Sequence, residues 1–211
     1  MLKTGFLLSL IVVASLKIEI AKTHFPALIK KGCSMKKLIA VIIILAFGIA
    51  TSFAAEIVVT INSTEKSDKT VGQITFTDSQ HGLLITPKLN NLPPGPHGFH
   101  LHEHPDCADH GKAAGSHFDP QGTGTHLGPY GKGHLGDLPV LYVNEDGSTT
   151  IPSLAPRLKV SELNNLSVMI HEGSDTYSDT PELGGGGARI ACGVIKFDND
   201  LKSQITPDPT Q

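Results

Sequence analysis

Histidines crowd into one part of this 211-residue chain, where seven of the 11 lie between His100 and His134. The stretch GFHLHEH, residues 98–104, spaces His100, His102 and His104 two apart. On a β-strand successive side chains alternate sides, so this spacing puts three imidazoles on one face. A helix would scatter them. Pro105 follows at once and ends the strand, so His104 reads as a solvated neighbour and His100 and His102 as the working pair. His171, in VMIHEG on another predicted strand, can join them. An imidazole-rich, sulfur-free set favours Cu²⁺ among divalent ions, and copper can change oxidation state where zinc cannot.

A second group follows. His117, His126 and His134 are separated by eight and seven residues, and Asp137 follows with two residues between. Loop-borne imidazoles with one carboxylate suit Zn²⁺, which takes four N and O ligands tetrahedrally. A site closed by four protein ligands is structural. It would also offset the entropy cost of ordering the Gly-, His-, Asp- and Pro-rich stretch from Cys107 to Gly136. Any one of these histidines alone could be an ordinary solvated loop residue; the set with Asp137 carries the argument.

These residues need a scaffold, and the strand signals supply one. EIVVTIN, TVGQITFTD, GLLITPKLN, GFHLHEH, LSVMIHEG and ARIACGVIKF are short β-branched or alternating runs between polar turns. LPVLYVNEDGSTTIPSL reads as a hairpin turned at Asp146-Gly147. About eight strands and no convincing helical period predict an all-β sandwich or flattened barrel. Gly173 to Gly187 is a second long loop, and its GGGG run, with no helix after it, reads as a flexible turn.

The chain before the strands reads differently. Residues 35–54, MKKLIAVIIILAFGIATSFA, have the basic start, apolar core and small-residue end of a secretory signal peptide. Residues 1–34 are an artefact of the assigned start or an extra leader. The domain is expected over residues 55–203, with a frayed tail at 204–211. From Ala55 onward there are ten Lys and Arg against 19 Asp and Glu, a net charge of −9 with His neutral. Nucleic acid is excluded as a partner, since no basic surface can replace phosphate counterions. Cys33 falls in the leader, leaving Cys107 and Cys192 either to pair in an oxidising compartment or to stay as two buried thiols.

Taken together, GFHLHEH, GSHFDPQGTGTHLGPYGKGHLGDLPVLYV and VMIHEGSDTYSDTPELGGGGARIACGVI resemble the copper,zinc superoxide dismutases of bacterial, exported type. The resemblance runs from about Gly95 to Ile195. It implies an eight-stranded Greek-key β-sandwich or flattened barrel with long metal-binding and active-site loops. It implies an enzyme that dismutes superoxide to O₂ and H₂O₂ with one copper and one zinc ion. The copper ligands would be His100, His102, His117 and His171, and the zinc ligands His117, His126, His134 and Asp137, with His117 bridging the metals. The resemblance also implies a Cys107–Cys192 disulfide, Arg189 beside copper, and Asp179 as the carboxylate orienting one histidine of each metal. It further suggests a periplasmic protein, no membrane contact after signal cleavage, and a homodimer as a possible assembly. The chain departs from the pattern in one place. Between the first cysteine and His117 many bacterial relatives carry a Lys-rich insertion, whereas this chain has ADHGKAAGS with Lys112 as its sole cation. Two rivals are weaker. A metal carrier would favour Met- or Cys-rich ligands, and a zinc hydrolase would need an open ligand position with a nearby base. Glu103 and Glu172, the nearest carboxylates to ligand histidines, should point off the metal face by strand alternation.

Overall fold

The computed structural model describes residues 54–66 and 68–198. Residues 1–34, nearly all of the signal peptide, Cys33 and the 204–211 tail lie outside the described residues. Nine strands are present among those described: β1 (Glu56–Ser63), β2 (Thr70–Ser79), β3 (Gly82–Leu89), β4 (Gly95–His97), β5 (Phe99–His102), β6 (Leu141–Val143), β7 (Ser153–Ala155), β8 (Leu166–His171) and β9 (Arg189–Ile195). Helical structure there is limited to three short 3₁₀ turns.

Seven strands form one antiparallel sheet in the order β5-β8-β9-β1-β2-β3-β7, and β4 and β6 pair separately. The sheet is curled, which makes the fold the expected all-β flattened barrel. Period-two burial drives its assembly. In β3, Leu83, Ile85 and Leu89 are buried while Leu84 and Lys88 face out. In β2 the alternation slips between Val71 and Ile74, opposite the register shift at Ile61/Asn62 in β1. Gly72 sits at that slip because any Cβ there would meet the Lys88 carbonyl oxygen at 2.2 Å. Phe76, Phe99, Leu101, Leu138 and Ile170 meet in the core.

One expected hairpin is absent. The turn at Asp146-Gly147 forms, with Gly147 N–H donating to Asn144 O at 2.9 Å, but β6 pairs with β4 and β7 pairs with β3. The turn residues dictate a local reversal; they do not dictate which strands flank it. The strand expected over residues 98–104 is also shorter, since β5 stops at His102 and β4 belongs to the other sheet.

Cys107 and Cys192 form the disulfide, spanning 85 residues and tying the loop after β5 to β9. Around it Ala114, Met169 and Cys192 make a small buried cluster against Cys107. Replacing both cysteines by serine is expected to lower the stability of the metal-free protein by about 4–5 kcal/mol, the chain-entropy value for a loop of this length. Urea denaturation measures it, and a loss under ~1 kcal/mol would mean that loop closure is not the bond's main contribution.

Candidate metal centre

β5 is the floor of the site. His100 and His102 lie on one face of it, opposite Phe99 and Leu101, which enter the core. One edge of β5 pairs with β8, His100 facing Met169 and His102 facing Ser167. The other edge takes two pieces of loop. Phe118 N–H donates to Leu101 O at 2.9 Å and Leu101 N–H to Gly136 O at 2.8 Å, bringing His117 beside His102 and Asp137 beside His100 as isolated β-bridges. The loop approaches this closely because Gly136 has no side chain; a Cβ there would lie 2.4 Å from Leu101 O. His171 ends β8 at a register shift, and its N–H donates to Gly98 O at 2.8 Å.

Two sets of side chains converge, each offering ligand atoms within 4.8 Å of one another: His100, His102, His117 and His171, and His100, His117, His126 and Asp137. His134 belongs with the second set, as its Nδ1 lies 3.5 Å from Asp137 Oδ1. His100 meets both sets by proximity, but its Nε2 is committed to Asp175 Oδ2 at 2.7 Å, leaving only Nδ1. His104, by contrast, is exposed and joins neither set. Glu103 and Glu172 are also exposed, as strand alternation predicted.

Three more buried rings, like His100, are held by one nitrogen. His102 Nδ1 donates to Gly115 O at 3.0 Å, His171 Nδ1 to Gly187 O at 3.3 Å, and His126 Nε2 to Asp175 Oδ1 at 2.8 Å. The opposite nitrogens, His100 Nδ1, His102 Nε2, His126 Nδ1 and His171 Nε2, are buried and make no hydrogen bond; neither does His134 Nδ1. Buried polar atoms seldom go without a partner. Near Asp137 the case is sharper, because His126 Nδ1 at 3.0 Å and His117 Nδ1 at 3.1 Å crowd onto the same Oδ1 oxygen. Lone pairs converging on a buried point are what metal cations bind. The four-imidazole set fits copper, and the three-imidazole, one-carboxylate set fits zinc.

Electrostatics agree with neutral rings in the first set. Burial pushes His100 down to about 3, His102 to about 2 and His171 to about 4, and lowers His117. His100 and His117 stack with centroids 4.0 Å apart, so two charges there would repel strongly. His126 behaves oppositely. Burial opposes its charge, yet Asp137 and Asp175 on its two sides prevail and raise it to about 9. Burial likewise works against ionisation of both carboxyls, but hydrogen bonds to histidines hold Asp137 and Asp175 well below the usual carboxylate range.

The carboxylate joining the two sets is a correction to the sequence reading. Asp179 is exposed, and both of its oxygens accept the His126 backbone N–H, at 3.0 and 3.1 Å. Asp175 bridges the His100 and His126 rings. The sequence SDTYSDT repeats one tripeptide, and nothing in it says which aspartate turns inward. The Gly-rich run is also more than a flexible turn. A Cβ on Gly184 would lie 2.1 Å from Asp175 Oδ1 and 2.7 Å from His126 Nε2, and one on Gly186 would lie 3.1 Å from the His171 ring. Arg189, at the start of β9, donates from its two terminal nitrogens to Gly111 O at 2.6 Å and Gly115 O at 2.7 Å. His97, unremarked in the sequence, puts its ring nitrogens 2.7 Å from His171 O and 2.8 Å from Pro93 O.

Comparison with known proteins bears on this arrangement. The copper/zinc superoxide dismutase family matches residues 70–195. The Legionella pneumophila protein named superoxide dismutase [Cu-Zn] is 58% identical over 145 residues, covering 69% of this chain and 90% of its own. The structure titled Cu/Zn superoxide dismutase from Brucella abortus superimposes with a TM-score of 0.63 at 44% identity, covering 67% of this chain and 99% of that one. The monomeric copper, zinc superoxide dismutase from Salmonella enterica gives a TM-score of 0.60 at 48% identity, covering 67% and 100% respectively.

Two outcomes are expected. In metal-free protein, His100, His102 and His171 titrate lower in the fold than their unfolded value of about 6.5. Unfolding therefore takes up protons, and stability falls as pH drops from about 6.5 towards 3; urea midpoints across that range check it, and a flat profile would contradict the neutral rings. Gly184→Ala should displace Asp175 and weaken metal binding by about 10–100-fold, as loss of a ligand-orienting partner does. Gly122→Ala is the control, since Gly122 has a similar positive φ but open space around it. Equal metal affinities in the two variants would remove Gly184 from the site.

Proposed function

Because the chain belongs to the copper/zinc superoxide dismutase family, it is an oxidoreductase that turns two superoxide ions and two protons into O₂ and H₂O₂, and we propose how its own residues divide that work. When bound, copper supplies the redox couple by cycling between Cu(II) and Cu(I), while zinc stays redox-silent. We assign copper to His100 Nδ1 and to Nε2 of His102, His117 and His171, and zinc to Nδ1 of His117, His126 and His134 with Asp137 Oδ1. The observation that carries this assignment is the row of buried ring nitrogens without hydrogen bonds, which in His100, His102, His126 and His171 lie opposite a nitrogen fixed by a carbonyl or carboxylate.

His117 lies in both sets of converging ligands. Its Nδ1 stays directed at Asp137, so its Nε2, whenever it is not ligating copper, can take a proton from water and deliver it to the superoxide being reduced. Asp175 keeps the His100 and His126 rings in fixed tautomers, tying the redox side of the site to the structural side. Arg189 attracts the anionic substrate, for guanidinium stays charged and offers donors in a rigid fork. Lys112 is exposed in the loop after β5, whose Gly111 and Gly115 carbonyls hold Arg189, and can add to that attraction.

Export to the periplasm is part of this proposal. The Cys107–Cys192 disulfide supports it, since such bonds persist in oxidising compartments, as does the signal-like sequence at residues 35–54. The Salmonella relative is described as monomeric, and every residue assigned here comes from one chain, so the reading requires no second copy.

Protein beginning at Ala55 should bind one copper and one zinc and consume superoxide. Arg189→Ala should keep both metals and lower kcat/KM about tenfold or more, in the range that local steering supplies. Metal analysis with pulse-radiolysis kinetics measures both. Unchanged kcat/KM would free Arg189 from substrate capture, and failure of the parent protein to bind both ions would overturn the ligand assignment.

A further inference from the structure

We propose that Arg157 is a positioning residue for zinc, one that fastens the loop carrying His126 and His134 into its ligating shape before the metal arrives. The inference rests on the zinc assignment above. Arg157 follows β7 and sits between two buried anchors, Ala155 and Leu158, so its backbone belongs to the edge of the seven-stranded sheet. Its side chain crosses to the loop and spends every nitrogen there. Nε donates to Pro129 O at 3.1 Å, one terminal nitrogen to Gly133 O at 3.0 Å, and the other to Gly128 O at 3.4 Å and to His134 O. Four carbonyls of a seven-residue stretch thus face one cation, and the last belongs to a proposed zinc ligand.

The same stretch is gripped from its N–H side by an anion. Leu127 and Gly128 N–H both donate to Asp137 Oδ2 at 3.2 Å, the oxygen that does not face the three histidine Nδ1 atoms. The loop is therefore strung between the Asp137 carboxylate and the Arg157 guanidinium, with backbone N–H groups turned to the first and carbonyls to the second. Close packing leaves little slack. A Cβ on Gly131 would lie 2.5 Å from Leu127 O, and one on Gly133 would lie 2.4 Å from Thr125 O. Both clamps are made by protein atoms alone. Without Arg157 the carbonyls of residues 128–134 would lose their common partner, and the ordering entropy of the loop would fall on metal binding instead.

No group in the copper set touches Arg157, so its loss should separate the two metals. Arg157→Met removes the fork. Arg157→Lys keeps the charge but replaces a planar fork with a single ammonium that cannot span four carbonyls. Zinc and copper dissociation constants are measured by chelator competition on the metal-free protein and on both variants. Hydrogen exchange over residues 124–137 and the urea midpoint are read in the same samples. The expected result is a zinc Kd raised about 10–100-fold in Arg157→Met, copper Kd changed less than about threefold, faster exchange in the loop, and partial recovery in Arg157→Lys. A zinc Kd within about twofold of the parent overturns the proposal. So does a parallel loss of both metals with a fallen urea midpoint, which would make Arg157 a general support of the fold; if Arg157→Met does not fold, the same criteria are read on Arg157→Lys. If the parent itself binds no zinc, the zinc assignment fails instead.

Discussion

Everything in the site follows from one constraint: a buried imidazole has two nitrogens, and both must be accounted for. Six rings lie buried together here, with neighbouring centroids 4.0–6.3 Å apart. They cannot all be charged at that spacing, and burial keeps four of them neutral over the ordinary pH range. A neutral ring has one N–H and one lone pair. In three of these neutral rings, His100, His102 and His171, the fold places an acceptor at the outer nitrogen, so the lone pair must turn inward. A metal site results because the acceptors surround the rings and no donors fill the centre.

The charge balance in the metal-free chain makes the same point. Asp137 and Asp175 are both ionised, and His126 between them is the ring that burial fails to neutralise. A proton on that ring offsets the two carboxylates. A divalent ion at Asp137 would take over that task and release the proton, which is how metal affinity becomes pH-dependent. Asp175 then remains on His126 Nε2 and His100 Nε2 together, a rigid link of two hydrogen bonds between the two halves of the centre.

How much of this is legible in the sequence depends on whether side chains or backbone do the work. Strand alternation shows in β1 and β3, where buried and exposed residues follow the pattern of the letters. His100, His102, His117, His126, His134, Asp137 and His171 stand out by type and spacing, and all seven meet in space. The Cys107–Cys192 pair follows from compartment logic and simple counting. What escapes is carried by the main chain. The acceptors on His102 and His171 are glycine carbonyls, and nothing about Gly115 or Gly187 announces them. GGGG looks like slack, yet Gly184 and Gly186 are there because Asp175 and His171 occupy the space a side chain would need. Asp175 and Asp179 sit in identical tripeptides, and tertiary packing alone buries the first and leaves the second at the surface. Asp146-Gly147 gives a turn but not its partners, because pairing is decided by which sheet edges stand open.

The substrate poses the remaining physical problem, for an anion must reach a domain whose net charge is −9 from Ala55 onward. Distance resolves part of it, since at physiological ionic strength charges beyond about 8 Å are largely screened. What matters is the cation nearest the rings. Arg189 presses on His102 and His171 electrostatically, lowering both alongside the larger effect of burial, which puts its charge close to the proposed copper ligands. Two of its five N–H donors go to Gly111 and Gly115, fixing the plane of the fork while leaving its charge uncancelled. Those two carbonyls lie in the loop that begins at Cys107, and Gly115 O also holds His102. One disulfide-anchored loop thus sets both the orientation of a metal ligand and the aim of the cation beside it, so any movement of that loop must disturb substrate attraction and ligand geometry together.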